Sequence, residues 1–176
     1  MMANVEFHDY SMQVKQELER IGVAWLHTWG NEIAAQAKRT VSTDGWTNGE
    51  RTALRDSYDC VVDDAQKVAR VGTSLEQGFW EEFGTGEHAD TSKNGGREGR
   101  KDWWVYVAGQ EPSDKESTHY QTREEAEAVA TSMRAEGFDA YATNGRDPNY
   151  TLEKSFVTVK PKAIRDLENK TKGMGK

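Results

Sequence analysis

YSMQVKQELERIGVAWLHTWGNEIAAQAKRT, residues 10–40, carries Val14, Leu18, Ile21, Trp25, Trp29, Ile33 and Ala37 at successive spacings of 4, 3, 4, 4, 4 and 4. A period close to that of the α-helix places all seven on one stripe. The spacing therefore predicts a single long helix whose apolar face other elements must cover. Ser11 is placed to cap its start. Gly22 and Gly30 each weaken it by about 1 kcal/mol relative to alanine. The remaining segments are shorter and alternate between strand and helix signals, which makes the chain α+β: a long N-terminal helix packed on a small antiparallel sheet.

Downstream of this helix, Asp44-Gly45 and Asn48-Gly49 are turn signals, and residues 42–52 read as a turn-rich loop. Leu54-Arg55-Asp56-Ser57-Tyr58 then leads into a strand at Cys60-Val61-Val62. A second strand is expected around residues 68–71, with Asp63-Asp64 as the tight connection and antiparallel pairing. Residues 75–83 predict a short helix with Phe79, Trp80 and Phe83 sharing a face. It stops at Gly84-Thr85-Gly86, with Gly84 suited to a left-handed cap. Residues 87–101 read as a mobile polar loop. Trp103-Trp104-Val105-Tyr106-Val107 has the aromatic and β-branched content of a strand, and residues 111–116 form another polar loop.

Thr122-Arg123-Glu124-Glu125 is a capping box that opens a helix running to Gly137. Phe138-Asp139-Ala140-Tyr141-Ala142 alternates like a strand, so residues 103–143 form a strand–helix–strand unit of crossover size. After Asp147-Pro148, Thr151 is a candidate cap for a C-terminal helix. Pro161 should break or restart that helix, with Ile164 and Leu167 in a second short piece. The Lys-rich tail, residues 170–176, should fray. The whole, residues 1–176, reads as one domain with 87–145 inserted.

Hydrophobic residues make up 35% of the chain and charged residues 30%, against roughly 45–50% apolar in an average globular domain. Six Trp, six Tyr and five Phe compensate in part, because each aromatic buries a large area. The core is real but thin, which suits a subunit stabilised by neighbours. A net charge of −7 argues against a protein that grips nucleic acid. It is compatible with a wall past which DNA slides. Cys60 is the sole cysteine, which removes intramolecular disulfides and cysteine-built zinc sites. No signal-peptide pattern and no membrane-length apolar run is present, so no membrane partner is expected.

Few residues invite chemistry. Gly84-Thr85-Gly86-Glu87-His88-Ala89 has the look of a phosphate loop, but it follows a helix rather than a strand. Glu81, Glu82, Glu87, His88 and Asp90 form an oxygen-rich cluster with one imidazole, matching no closed metal-ligand set. Solvated surface charge explains it more simply. His8, His27, His88 and His119 are scattered, with no nucleophile beside them. Cys60 fits a small core side chain, and the pairs Asp63-Asp64 and Glu124-Glu125 fit a turn and a helix N-terminus. Trp103 and Trp104 should present one indole to each face of a strand. With Arg97, Arg100 and Lys101 nearby they suggest single-stranded nucleic acid, which the overall acidity opposes. No catalytic residue, metal or cofactor is expected.

Leu54-Arg55-Asp56-Ser57-Tyr58, Val71-Gly72-Thr73-Ser74 and Trp80-Glu81-Glu82-Phe83-Gly84-Thr85-Gly86 together resemble the HK-ninety-seven gene-product-ten-like family of phage tail components. That family shows a long first helix, a turn, a strand pair, a Glu-Phe-Gly-Thr-like helix end and a Pro-x-x-x-Leu helix start. Thr43-Asp44-Gly45 is similar to the turn, Glu82-Phe83-Gly84-Thr85 to the helix end, and Pro148 with Leu152 to the helix start. The resemblance spans most of 10–86 and 146–170. Two departures stand out: about sixty residues lie between the Gly-Thr turn and Pro148, and Gly45-Trp46-Thr47-Asn48-Gly49-Glu50 reads as an expanded loop.

The resemblance implies a non-enzymatic virion protein of the head–tail neck, made in the host bacterial cytoplasm. It also implies a ring of identical subunits between connector and tail-tube proteins, with DNA as passing cargo. A hexamer is preferred, and a dodecamer is the alternative if the subunit sits against the head connector. Subunit or partner contacts are expected at Trp80, Phe83, Gly84 and Thr85, and at Trp103 and Trp104. Two rival readings stay open. One is a binding module in which the inserted unit recognises a partner protein or polymer. The other is a small hydrolase using the cluster between Glu81 and Asp90.

Overall fold

A computed structural model describes residues 9–96, 98–109 and 119–172. Arg97, His8, the loop at 111–116 and the tail beyond 172 lie outside them. The fold is α+β: a long N-terminal helix, small antiparallel sheets and a C-terminal helix, with five helices among the described residues. Helix α1 (Ser11–Thr40) is continuous over the predicted stretch. Ser11 is its first residue rather than its cap, and its N–H is taken by the Asp9 carboxylate at 2.9 Å. Helix α5 (Thr151–Thr171) packs along α1. The indole of Trp25 donates to the Ala163 carbonyl at 2.8 Å and that of Trp29 to Asp166 at 2.9 Å. Strands β1 (Asp59–Asp63) and β2 (Val68–Gly72) form an antiparallel hairpin across α1. Gly30 makes this approach possible: a Cβ there would lie 2.4 Å from the Cys60 sulfur and 3.3 Å from the Ala69 Cβ. The helix gives up some propensity at Gly30 in exchange for a close strand contact.

Three local expectations are corrected. Residues 48–57 are helix α2 (Asn48–Ser57), not a loop followed by a strand start. Thr47 and Glu50 form a reciprocal capping box, which turns the Asn48-Gly49 turn signal into a first helical turn and buries Leu54 completely. Pro161 does not interrupt α5, which also includes Ile164 and Leu167. Thr151, Ser155, Val159 and Ala163, four apart, are buried, while Pro161 faces outward. Water can there serve the carbonyl that proline leaves unpaired. Thr151 is not the cap of α5: that position belongs to Tyr150, in the left-handed conformation at φ 52°.

Helix α3 (Gln77–Phe83) leads into β3 (Thr85–Gly86), which pairs antiparallel with β6 (Gly145–Arg146). This two-residue ladder brings together both ends of the intervening segment. That segment contains β4 (Trp104–Val107), α4 (Arg123–Ala135) and β5 (Ala140–Thr143). Its helix starts on the predicted Thr122–Glu125 box. Its strands pair antiparallel, Tyr106 opposite Tyr141, not through a parallel crossover. Residues 87–96 form a loop, as expected. They fold into successive turns, tied by Asp90 to Ser92 and to the Tyr150 hydroxyl.

The core is small. Ala37, Val41, Leu54 and Tyr58 cluster with Trp46 and Leu152, and six of the ten buried hydrophobics among the described residues are alanines. The N-terminal part of the α1 stripe is not covered: Val14 is 38% exposed and Leu18 45%. No helix among the described residues is long and apolar enough to cross a membrane.

Candidate functional site

The densest structure around the predicted motif begins with two glutamates at the end of α3. Glu81 is wholly buried. One carboxylate oxygen accepts from the Ser42 N–H at 2.7 Å, the Asn149 amide at 2.7 Å and the Thr151 hydroxyl at 2.9 Å. The other accepts from the Trp46 indole at 2.8 Å and the Arg146 guanidinium at 2.9 Å. Burial pushes this carboxyl up. The donors Ser42, Trp46 and Asn149 and the Arg146 charge push it down and prevail, so Glu81 titrates below the usual carboxylate range. Five donors from four segments thus converge on one anion. They tie the α1–α2 connection, β6, the β6–α5 connection and α5 to α3, which carries the glutamate.

Glu82 performs a different task. Its carboxylate accepts from the Leu152 N–H at 2.7 Å and the Glu153 N–H at 3.1 Å. These are first-turn amides of α5, left without partners inside the helix. The cap that Thr151 was expected to supply comes from a residue seventy positions upstream, and its negative charge also suits the helix dipole.

Gly84 follows at φ 73° and ψ −179°, so the positive φ of the expected cap is present with an extended ψ that only glycine adopts readily. A side chain there would meet the Arg146 carbonyl at 2.7 Å and the Pro148 nitrogen at 2.9 Å. Thr85 pairs with Arg146 in the β3–β6 ladder and accepts its N–H through the hydroxyl at 3.2 Å. Trp80 stacks on Trp46 with centroids 6.5 Å apart. Arg146 lies over the far-reaching Trp46 ring at 4.1 Å, and Phe83 meets Phe79 at 4.9 Å. Trp80, Phe83, Gly84 and Thr85 therefore occupy one site, where much of their surface is used within the chain: Gly84 is buried and the other three are half-buried.

Trp103 and Trp104 belong to the inserted unit instead. Trp103 pairs through its backbone with Tyr120 and lies under the Arg123 guanidinium at 5.8 Å, while Trp104 lies under that of Arg100 at 5.9 Å. The Tyr106 hydroxyl donates to Glu50 of α2, which ties this unit to the body.

The structure separates the acidic cluster seen in the sequence. Glu81 and Glu82 point inward as described, Glu87 accepts from Asn144, His88 meets Asp147, and Asp90 holds Ser92 and Tyr150. No group that could hold a metal occurs among the described residues. The amides of Gly84, Glu87, His88 and Ala89 are spent on the Trp80, Asn144, Thr85 and Gly86 carbonyls, as in a chain of turns rather than a phosphate cradle. His27 meets Asp64 on the surface, at 2.8 Å.

The residues that sequence reasoning missed are Arg146, Asn149 and Trp46. Arg146 and Asn149 sit in an unpatterned stretch, and Trp46 in a supposed loop. Comparisons with protein-family models, with curated proteins and with solved structures find no match.

Proposed function

We propose that this chain is a non-enzymatic structural subunit of a tailed-phage neck, forming a ring at the head–tail junction through which DNA passes. The observation that carries this reading is the meeting of motifs that lie far apart in sequence. The Asp44 carbonyl accepts from Arg146 at 3.1 Å, Gly84 packs against Pro148, and Glu82 caps α5 at Leu152. The turn, the helix end and the helix start that together resemble the neck family are thus parts of one interlock. The exposed apolar residues of α1 and the alanine-rich core favour a subunit completed by its neighbours.

Antibody labelling of virions, combined with quantification of the chain in purified particles, tests the proposal. Label at the head–tail junction and a copy number of six or twelve are expected. Absence of the chain from particles refutes it.

A binding module is the second reading. It is favoured by the β3–β6 stem, which presents the Trp103–Trp104 unit as a closed insertion. Deleting residues 103–143 abolishes partner binding under that reading and spares assembly under the first.

A further inference from the structure

We infer that the β1–β2 hairpin is the surface through which one copy of this chain joins the next, head to tail, with the β1 edge of one copy beside the β2 edge of its neighbour. The inference rests on the ring reading and names the contact that would build the ring. The hairpin is a two-stranded sheet with no further strand on either edge among the described residues. Cys60 and Ala69 contact Gly30, so one face lies on α1. The register then places Asp59, Val61 and Asp63, with Val68 and Arg70, on the opposite face. That face carries an exposed apolar centre: Val61 is 64% exposed and Val68 38%.

The charges around this centre are sorted by strand. β1 carries Asp59 and Asp63, whose carboxylates, among the described residues, accept only the backbone N–H groups of Cys60 and Gln66. β2 carries Arg70, which has no carboxylate partner among the described residues. Lys67, just before β2, is taken by Glu19 at 2.8 Å and Asp64 by His27, so neither is counted. Charges that protect a sheet edge from pairing would repel a second copy at either edge. Here one edge is acidic and the other basic, so a copy repels itself in the like-to-like arrangement and attracts itself in the like-to-unlike one. A two-fold dimer is disfavoured, and a head-to-tail contact is favoured, the type that closes into rings. Pairing would satisfy open backbone groups, extend the outward face that carries Val61 and Val68, and bring Arg70 beside the neighbour's Asp59 and Asp63 on that face.

The test uses two full-length variants, Arg70→Glu and the double variant Asp59→Lys with Asp63→Lys, measured by light scattering alone and mixed in equal amounts. Asp59→Lys with Asp63→Asn, which keeps a side-chain oxygen for the Gln66 N–H, replaces the double variant if that one does not fold. Each variant alone has two edges of one sign and is expected to lose the assembled species. The mixture restores complementary edges at every contact of an alternating ring and is expected to recover it. Either variant assembling alone like the wild type, or a mixture that stays monomeric, overturns the hairpin contact. A mixture that associates in pairs or open chains but never closes upholds the contact and removes the closed ring. A wild type that closes into a ring while both variants also do so removes the contact and leaves the neck reading standing.

Discussion

Replacing Glu81 by glutamine changes almost no volume but breaks the centre of the interlock. The two carboxylate oxygens divide their donors, with Ser42, Asn149 and Thr151 on one and Trp46 and Arg146 on the other. A glutamine keeps one oxygen and turns an NH2 group toward the other set. In either orientation at least two donors face a donor, and in the better one the orphaned groups are the indole and the guanidinium. Breaking a buried charge pair by removing one partner costs about 3–5 kcal/mol. Two lost hydrogen bonds to a charged acceptor, at about 1.5–3 kcal/mol each, give about 3–6 kcal/mol, which brackets that range. For a chain of this size that is a fall in Tm of about 6–20 °C.

The pH dependence changes as well. The folded-state pKa of Glu81 lies below its ordinary value of 4.5, so its contribution is fully present above that value and is lost as pH falls through the folded pKa. Wild-type stability should therefore drop in this acid window, and Glu81→Gln should flatten the drop. Thermal unfolding followed by circular dichroism from neutral pH to pH 3 measures both effects. Arg146→Met alone should cost a similar amount, and the double variant should cost less than the sum. A Glu81→Gln protein that melts within about 2 °C of the wild type, with the same acid profile, would show that the Glu81 charge does not hold the interlock together.

The other expected outcomes concern backbone and caps. Gly22→Ala should stabilise by about 0.5–1 kcal/mol in chemical denaturation, because nothing lies within 4 Å of its added methyl. Gly30→Ala, in the same helix, should destabilise by about 1–3 kcal/mol because its Cβ meets the Cys60 sulfur. Gly84→Ala combines a positive φ with a 2.7 Å approach to the Arg146 carbonyl and should lower stability by at least about 2 kcal/mol in the same assay. Glu82→Ala should fray the start of α5, seen as faster hydrogen exchange at the Leu152 and Glu153 amides, at a cost of about 1–2 kcal/mol.

Much of this fold was legible locally. The α1 stripe, the β1–β2 hairpin and the Thr122 capping box each rest on residues a few positions apart, where periodicity and cap chemistry act directly. The α2 box, Thr47 to Glu50, has the same chemistry as the one at Thr122, but Asn48-Gly49 between its members spoke more loudly as a turn. Pro161 misled because its effect depends on which side of α5 faces water. The central site was the least legible. Glu81 and Glu82 are neighbours with opposite assignments, one buried on a guanidinium and indole, the other capping a distant helix. Their partners, Arg146, Asn149 and Leu152, lie more than sixty residues away. Two adjacent glutamates on a short helix carry no local mark of burial, since burial is decided by donors that only the tertiary fold assembles. The uncovered stripe at Val14 and Leu18 was likewise invisible to periodicity, which shows that a face is apolar and not what covers it.

The most direct measurement is the mass of the purified wild-type chain in solution, by light scattering over a wide concentration range. A ring subunit gives a closed species of six times the 19.8 kDa chain mass, or of twelve times, that grows at the expense of monomer without open-ended polymers. A chain that stays at 19.8 kDa throughout, or stops at a two-fold dimer, would contradict a subunit that builds a ring from its own copies.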